Sequence, residues 1–297
     1  MSVEQSNLGR QEDNVETVSV GMYEAGGEAG SDFHVFNAAP DQYHRADVLQ
    51  RTGAINITWD IEKVVHGAMA DDSDRYATLM VMRWYFQPKG GRRISEATIE
   101  LTFESVSGGI DDIEVEGISF QDTYSLMPTT QQESITKGGD ASIGIEHLAN
   151  LTLSGKWEKS INAQTSDAIT LSGQRLLVNN LPPKRIATWT LSENQSQPTG
   201  IPAFLKVAVR ISRQDQGKFF CRLAFTCKTD LRTAAESLFK KIPKDDPIIF
   251  QANPHDKGTL PNRNVLYGHN SLGSENLDEL CDVTFRTTIT NAQKTWK

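Results

Sequence analysis

His255, Asp256, Arg263, Tyr267 and His269 fall within one stretch of fifteen residues, and together they offer an acid, a base and an anion-binding group. The stretch belongs to a long segment, Pro243 to Gly273, rich in Pro, Gly, Asn and Asp. Segments of that length are uncommon inside compact domains and often carry function. If the chain has a ligand or partner site, the sequence places it here. The competing explanation is a cover over an open end of the fold, anchored by Ile248, Ile249 and Phe250, with the polar residues solvated; that cover is the commoner outcome.

The remaining reactive side chains form no recognised constellation. The string around Ser271, Gly268-His269-Asn270-Ser271-Leu272-Gly273, carries His269 where a nucleophile elbow needs its first Gly, so the strained turn that exposes a nucleophilic serine is lost. The six histidines (His34, His44, His66, His147, His255, His269) show no His-x-x-x-His spacing, and the three cysteines no Cys-x-x-Cys. Neither a catalytic residue nor a metal ligand is assigned, and no cofactor is expected. Acidic pairs at Asp71-Asp72 with Asp74, at Asp111-Asp112 and at Asp245-Asp246 sit in turn-like sequence, where Asp is favoured by hydrogen bonds to its own backbone; calcium is the alternative left open. Phosphate-cradling glycine motifs are missing, which disfavours the common nucleotide enzymes.

The elements that must position any site are strands. From Ala54 onward apolar residues recur at every second position. Ala97, Ile99, Leu101 and Phe103 alternate with Glu96, Thr98, Glu100, Thr102 and Glu104, giving one apolar and one wet face. Tyr76 to Gln87 is apolar on both faces, as a central strand covered from both sides would be. It is expected to pair with Ile94 to Glu104 across Pro88-Lys89-Gly90-Gly91-Arg92. Leu205 to Ile211 and Phe219 to Cys227 are expected to form a hairpin. Further strands are predicted at Ala54 to Val65, Ile113 to Phe120, Ala168 to Val178, Arg185 to Leu191 and Asp282 to Thr290. One main helix is predicted at Leu231 to Lys241, capped by Asp230 and stopped by Pro243, and a shorter one at Glu275 to Cys281.

These elements predict an all-β protein in the main, an antiparallel β-sandwich over residues 51–297 with the long loop at 243–273, preceded by an irregular, acidic, flexible arm over residues 1–50. The chain has 297 residues and a formal net charge of −8. The excess is concentrated in the arm, where nine acidic side chains face two basic ones. A nucleic-acid partner is excluded for lack of a dense basic face. Cys221 and Cys227, six residues apart on one strand, stand ~20 Å apart and so do not pair; both read as buried. With no apolar run resembling a signal peptide, a soluble chain in the cytoplasm is expected.

Two amphipathic segments, Ile143 to Trp157 and Thr165 to Val178, have the lengths that membrane-inserting hairpins need, ~10 residues per crossing. Half-exposed strands look the same, so a membrane partner is not the expectation. Ala187 to Pro202, reading Ala-Thr-Trp-Thr-Leu-Ser-Glu-Asn and then Gly200-Ile201-Pro202 before an apolar strand, resembles β-rich proteins of filamentous fungi with no assigned activity. That resemblance implies no site residues.

The function expected from sequence is a non-enzymatic intracellular binding or interaction module, its partner a protein or small molecule. The alternative is an enzyme or accessory protein of small-molecule, secondary metabolism whose site assembles from scattered residues. A membrane-active β-protein stands third.

Overall fold

The computed structural model describes residues 18–21, 35–52, 55–106, 109, 112–137, 159–229, 245–253, 255 and 264–285. In chain order the strands are β1 (Val18–Gly21), β2 (Asp47–Arg51), β3 (Ile55–Ala68), β4 (Tyr76–Pro88), β5 (Ile94–Ser105), β6 (Ile113–Ile118) and β7 (Asp122–Lys137). They continue as β8 (Lys159–Val178), β9 (Leu181–Ser192), β10 (Phe204–Arg213), β11 (Lys218–Thr229), β12 (Ile248–Gln251), β13 (Val265–His269) and β14 (Asp282–Thr284).

Two seven-stranded sheets result. One runs β1-β11-β5-β9-β8-β7 with β12 also against β11; the other runs β13-β3-β4-β10-β14, with β2 against β3 and β6 against β10. All pairings are antiparallel except β13 with β3. The sandwich expected from the period-two pattern is therefore present. Its core lies between the sheets, where Trp59 and Trp84 stack at 4.9 Å and Trp84 continues onto Phe86 and Phe225.

Both faces of β4 are covered, as its sequence predicts. Met80, Met82, Trp84 and Phe86 enter the main core, while Leu79 and Val81 join Val65, Ala208, Leu272 and Leu277 in a second, outer cluster. The outer lid is built from two short 3₁₀ turns, Leu272–Ser274 and Leu277–Leu280. The second falls where the sequence predicts a short helix. The main helix expected at Leu231 to Lys241 lies outside the described residues.

Both expected hairpins are corrected. β4 belongs to one sheet and β5 to the other, and the same holds for β10 and β11. Each connection is an arch that carries the chain across the core, because the apolar faces of the two strands pack against one another across the ~10 Å gap instead of lying side by side. The arm is corrected as well. From Tyr43 onward it is part of the sandwich: β2 pairs with β3, and Tyr43, His44, Arg45, Val48 and Leu49 are buried. Arg51 fixes this segment through a buried ion pair with Asp245 (2.5 Å), whose other oxygen accepts from the Val35 amide.

Candidate functional site

Segment 243–273 is organised by two strands. Ile248 and Phe250 of β12 are fully buried against β11, as the cover explanation requires. β13 lies parallel to β3 and approaches closely: a Cβ on Gly67 would stand 1.8 Å from the His269 carbonyl oxygen. Tyr267 is half-buried and its hydroxyl donates to the Gln251 carbonyl (3.2 Å). His269 is exposed, with Nε2 3.5 Å from a Glu275 carboxylate oxygen. His255 is exposed in a turn, where its amide donates to Asn253 Oδ1. Asp256 and Arg263 lie outside the described residues. Of the five residues singled out by sequence, Tyr267 and His269 share a strand and border one cleft, Tyr267 also lines a second, and His255 lines neither.

Beneath β13 runs a buried polar chain that sequence reading did not find. His66 Nε2 and His44 Nε2 are 2.8 Å apart, His66 Nδ1 is 2.8 Å from Thr78 Oγ1, and Arg213 Nε donates to that same hydroxyl oxygen (3.0 Å). The Gln251 amide donates to His44 Nε2 (3.3 Å). These contacts fix the protons. His44 Nε2 accepts from the amide, so the proton between the imidazoles belongs to His66 Nε2. His66 Nδ1 then accepts from Thr78, whose oxygen accepts from Arg213. Both rings are neutral in this arrangement, and burial enforces it: His44 is pushed down to about 4. His66 lies well below its ordinary range, by burial first and then by the nearby His44 and Arg213.

Local sequence explains why His66 points inward. β3 alternates from Ile55 to Ile61, then carries a bulge between Ile61 and Lys63. The bulge shifts the phase, so that Val64 rather than Val65 meets the main core and His66 follows it inward. In register, His66 faces Thr78 and Thr78 faces Ile211, two residues before Arg213.

Two clefts open beside β13. The larger, about 280 Å³, is mostly apolar, lined by Val65, Leu79, Val81, Leu266, Leu272 and Leu280. The smaller, about 210 Å³, carries more polar side chains: Tyr76, Arg213, Gln216, Tyr267 and Asn270 line it together with the buried His66. Among the described residues no three His, Cys, Asp or Glu side chains converge as metal ligands would. Burial pushes the thiols of Cys221 and Cys227 up, the latter to about 12, which removes their nucleophilic form at neutral pH.

The second feature is the β7–β8 hairpin. The two strands pair from Asp122 with Gly173 to Lys137 with Lys159. β9 pairs with β8 no further out than Thr170. From Thr129 with Asp167 to Lys137 with Lys159, nine residue pairs form a ribbon with no third strand among the described residues. At ~3.3 Å per residue this ribbon reaches about 30 Å beyond the sheet.

No family model and no curated protein matches this sequence. Among solved structures, the Clostridium perfringens NetB toxin in its membrane-inserted form is similar with 8% identity and a TM-score of 0.28, over 62% of this chain and 82% of that one. Clostridium perfringens delta-toxin is similar with 9% identity and a TM-score of 0.26, over 67% and 93%. Neither likeness assigns a role to a residue of this chain.

Proposed function

We propose that this chain is a non-enzymatic, membrane-active β-protein, in which the sandwich is the scaffold and the β7–β8 hairpin is the element delivered to a bilayer. This promotes the reading that sequence alone places third. One observation carries it: among the described residues, the outer halves of two strands of 16 and 20 residues pair with each other and with no third strand. A lone two-stranded ribbon is marginal in water, and each of its outer edges presents unpaired backbone groups. A bilayer tolerates strands only when every such group is paired in a closed barrel. Ribbons from several copies of this chain, edge to edge, meet that demand.

The sequence joining the two strands fits a bilayer crossing. Ile143, Ile145, His147, Ala149, Leu151, Leu153 and Trp157 occupy alternate positions, opposed by Glu146, Asn150, Thr152, Ser154, Lys156 and Glu158. Because Lys137 faces Lys159, this sequence would have to go out and return as a hairpin, and its two arms of ~10 residues each carry the apolar-out, polar-in alternation of barrel strands at the ~9–11 residues one crossing takes. No helix among the described residues is long and apolar enough to cross a membrane, so strands would have to do it.

Release of a trapped dye from liposomes tests the proposal. The intact protein should cause leakage, and Leu151→Asp with Leu153→Asp should abolish it while leaving the melting temperature unchanged. Absence of both leakage and vesicle binding across neutral and anionic lipids would refute it.

A further inference from the structure

Arg213 lines the smaller cleft, yet the residue is only 3% exposed. Nε donates to Thr78 Oγ1, Nη1 to the Asp215 carbonyl (2.6 Å) and Nη2 to the Ala77 carbonyl (3.4 Å), and the Phe219 ring lies 5.5 Å away. All of these partners are neutral. The Asp215 carboxylate, whose charge does favour the cation, accepts from the Gly217 amide and forms no salt bridge with Arg213. A guanidinium has five N–H groups, so three bonds leave two. Burial with no ion pair among the described residues is unfavourable to the charge and pulls Arg213 down to about 10, against the pull of the Asp215 charge.

An anion seated in the cleft would complete this arrangement. Tyr76, Tyr267, Gln216 and Asn270 bring hydroxyl and amide groups to the same space, and Ala68 and Ala252 add apolar wall. We infer that the cleft beside β13 binds a small organic carboxylate, its planar CO₂⁻ on the Arg213 fork and its apolar remainder against the alanines and tyrosine rings. A single cation sets the charge at one. His66 is held neutral, so among the described lining residues no second positive group is present for a phosphate dianion, which carries −1.5 to −2 near neutral pH. The inference stands independently of the membrane-active proposal.

Calorimetric titration of the full chain with benzoate, benzamide and inorganic phosphate at equal ionic strength tests it. Benzoate should saturate one site, with benzamide and phosphate about tenfold weaker or more, the difference a charge-assisted pair makes. Gln216→Glu and Asn270→Asp, both at exposed positions, place a competing carboxylate at the cleft without removing Arg213. Each should weaken benzoate at least about tenfold with an unchanged melting temperature. Should one variant lose stability, the other decides. The inference is overturned by benzoate binding no tighter than benzamide, by phosphate binding as tightly as benzoate, or by undiminished benzoate binding in the well-folded variants.

Discussion

His44 and His66 meet nitrogen to nitrogen inside the sandwich, an arrangement that has room for one proton between them and not two. A proton on His44 Nε2 would face the N–H of His66 and the amide of Gln251, three donors with no acceptor. The rings of Tyr43, Phe250 and Tyr267 surround His44, and the nearby Arg213 adds positive charge. Unfolded, each histidine takes up its proton near pH 6.5; folded, His44 does so only at about 4. The unfolded chain therefore binds more protons between those values, and stability falls as pH falls through that window. The loss from His44 alone should be on the order of 3 kcal/mol by pH 4, at about 1.4 kcal/mol per pKa unit. Urea unfolding at pH 7, 5.5 and 4.5 should show the decline, and His44→Gln should remove the share owed to His44 and leave that owed to His66; parallel pH curves for the two proteins would count against the buried histidine contact. Nothing in the sequence announces this pair. Twenty-two residues separate the two histidines, and the phase shift that turns His66 inward comes from a bulge that alternation does not record.

At the scale of elements, the sequence was readable strand by strand and unreadable in pairing. Ile94–Ser105 shows why: its alternation tells which side chains are buried and nothing about which neighbour lies beside it. Sheet membership is decided by contacts across the core, so both expected hairpins became arches. β13 escapes sequence reading because Val265-Leu266-Tyr267 is a short run without alternation that ends at Gly268 and an exposed histidine, whereas the apolar run of β12 is legible as an anchor.

Two elements can be tested by single substitutions. Asp245→Ala strands Arg51 in a site where both side chains are about nine-tenths buried, and also frees the Val35 amide. It should destabilise the protein by about 3–5 kcal/mol and raise hydrogen exchange in 43–51 before other segments; a cost under 1 kcal/mol would mean that the pair does not hold the segment. Gly173 lies at the root of the ribbon, where a Cβ would stand 2.4 Å from the Phe120 carbonyl oxygen and 3.1 Å from the Trp189 ring. Gly173→Val should lower stability by about 2 kcal/mol or more, as other overpacked sites do, detectable as a fall in melting temperature. An unchanged melting temperature would place the chain path at Phe120 elsewhere.

For the whole molecule, the account rests on a division of labour between a densely packed sandwich and a hairpin that extends past it. The cysteines allow that division to be probed directly. Cys221 and Cys227 are buried with their thiols pushed up, so Cys281 is the half-exposed thiol among them; Cys281→Ser leaves a background in which an added cysteine takes the label. Single cysteines placed in turn at positions 143–157 and labelled with a polarity-sensitive dye would report the environment of each position with and without vesicles. The account predicts that vesicles shift emission at 143, 145, 149, 151 and 153 to that of a lipid environment and leave 144, 146, 150, 152 and 154 wet, a period of two that only a bilayer-facing strand produces. Uniformly aqueous emission along the whole segment in the presence of vesicles would contradict it.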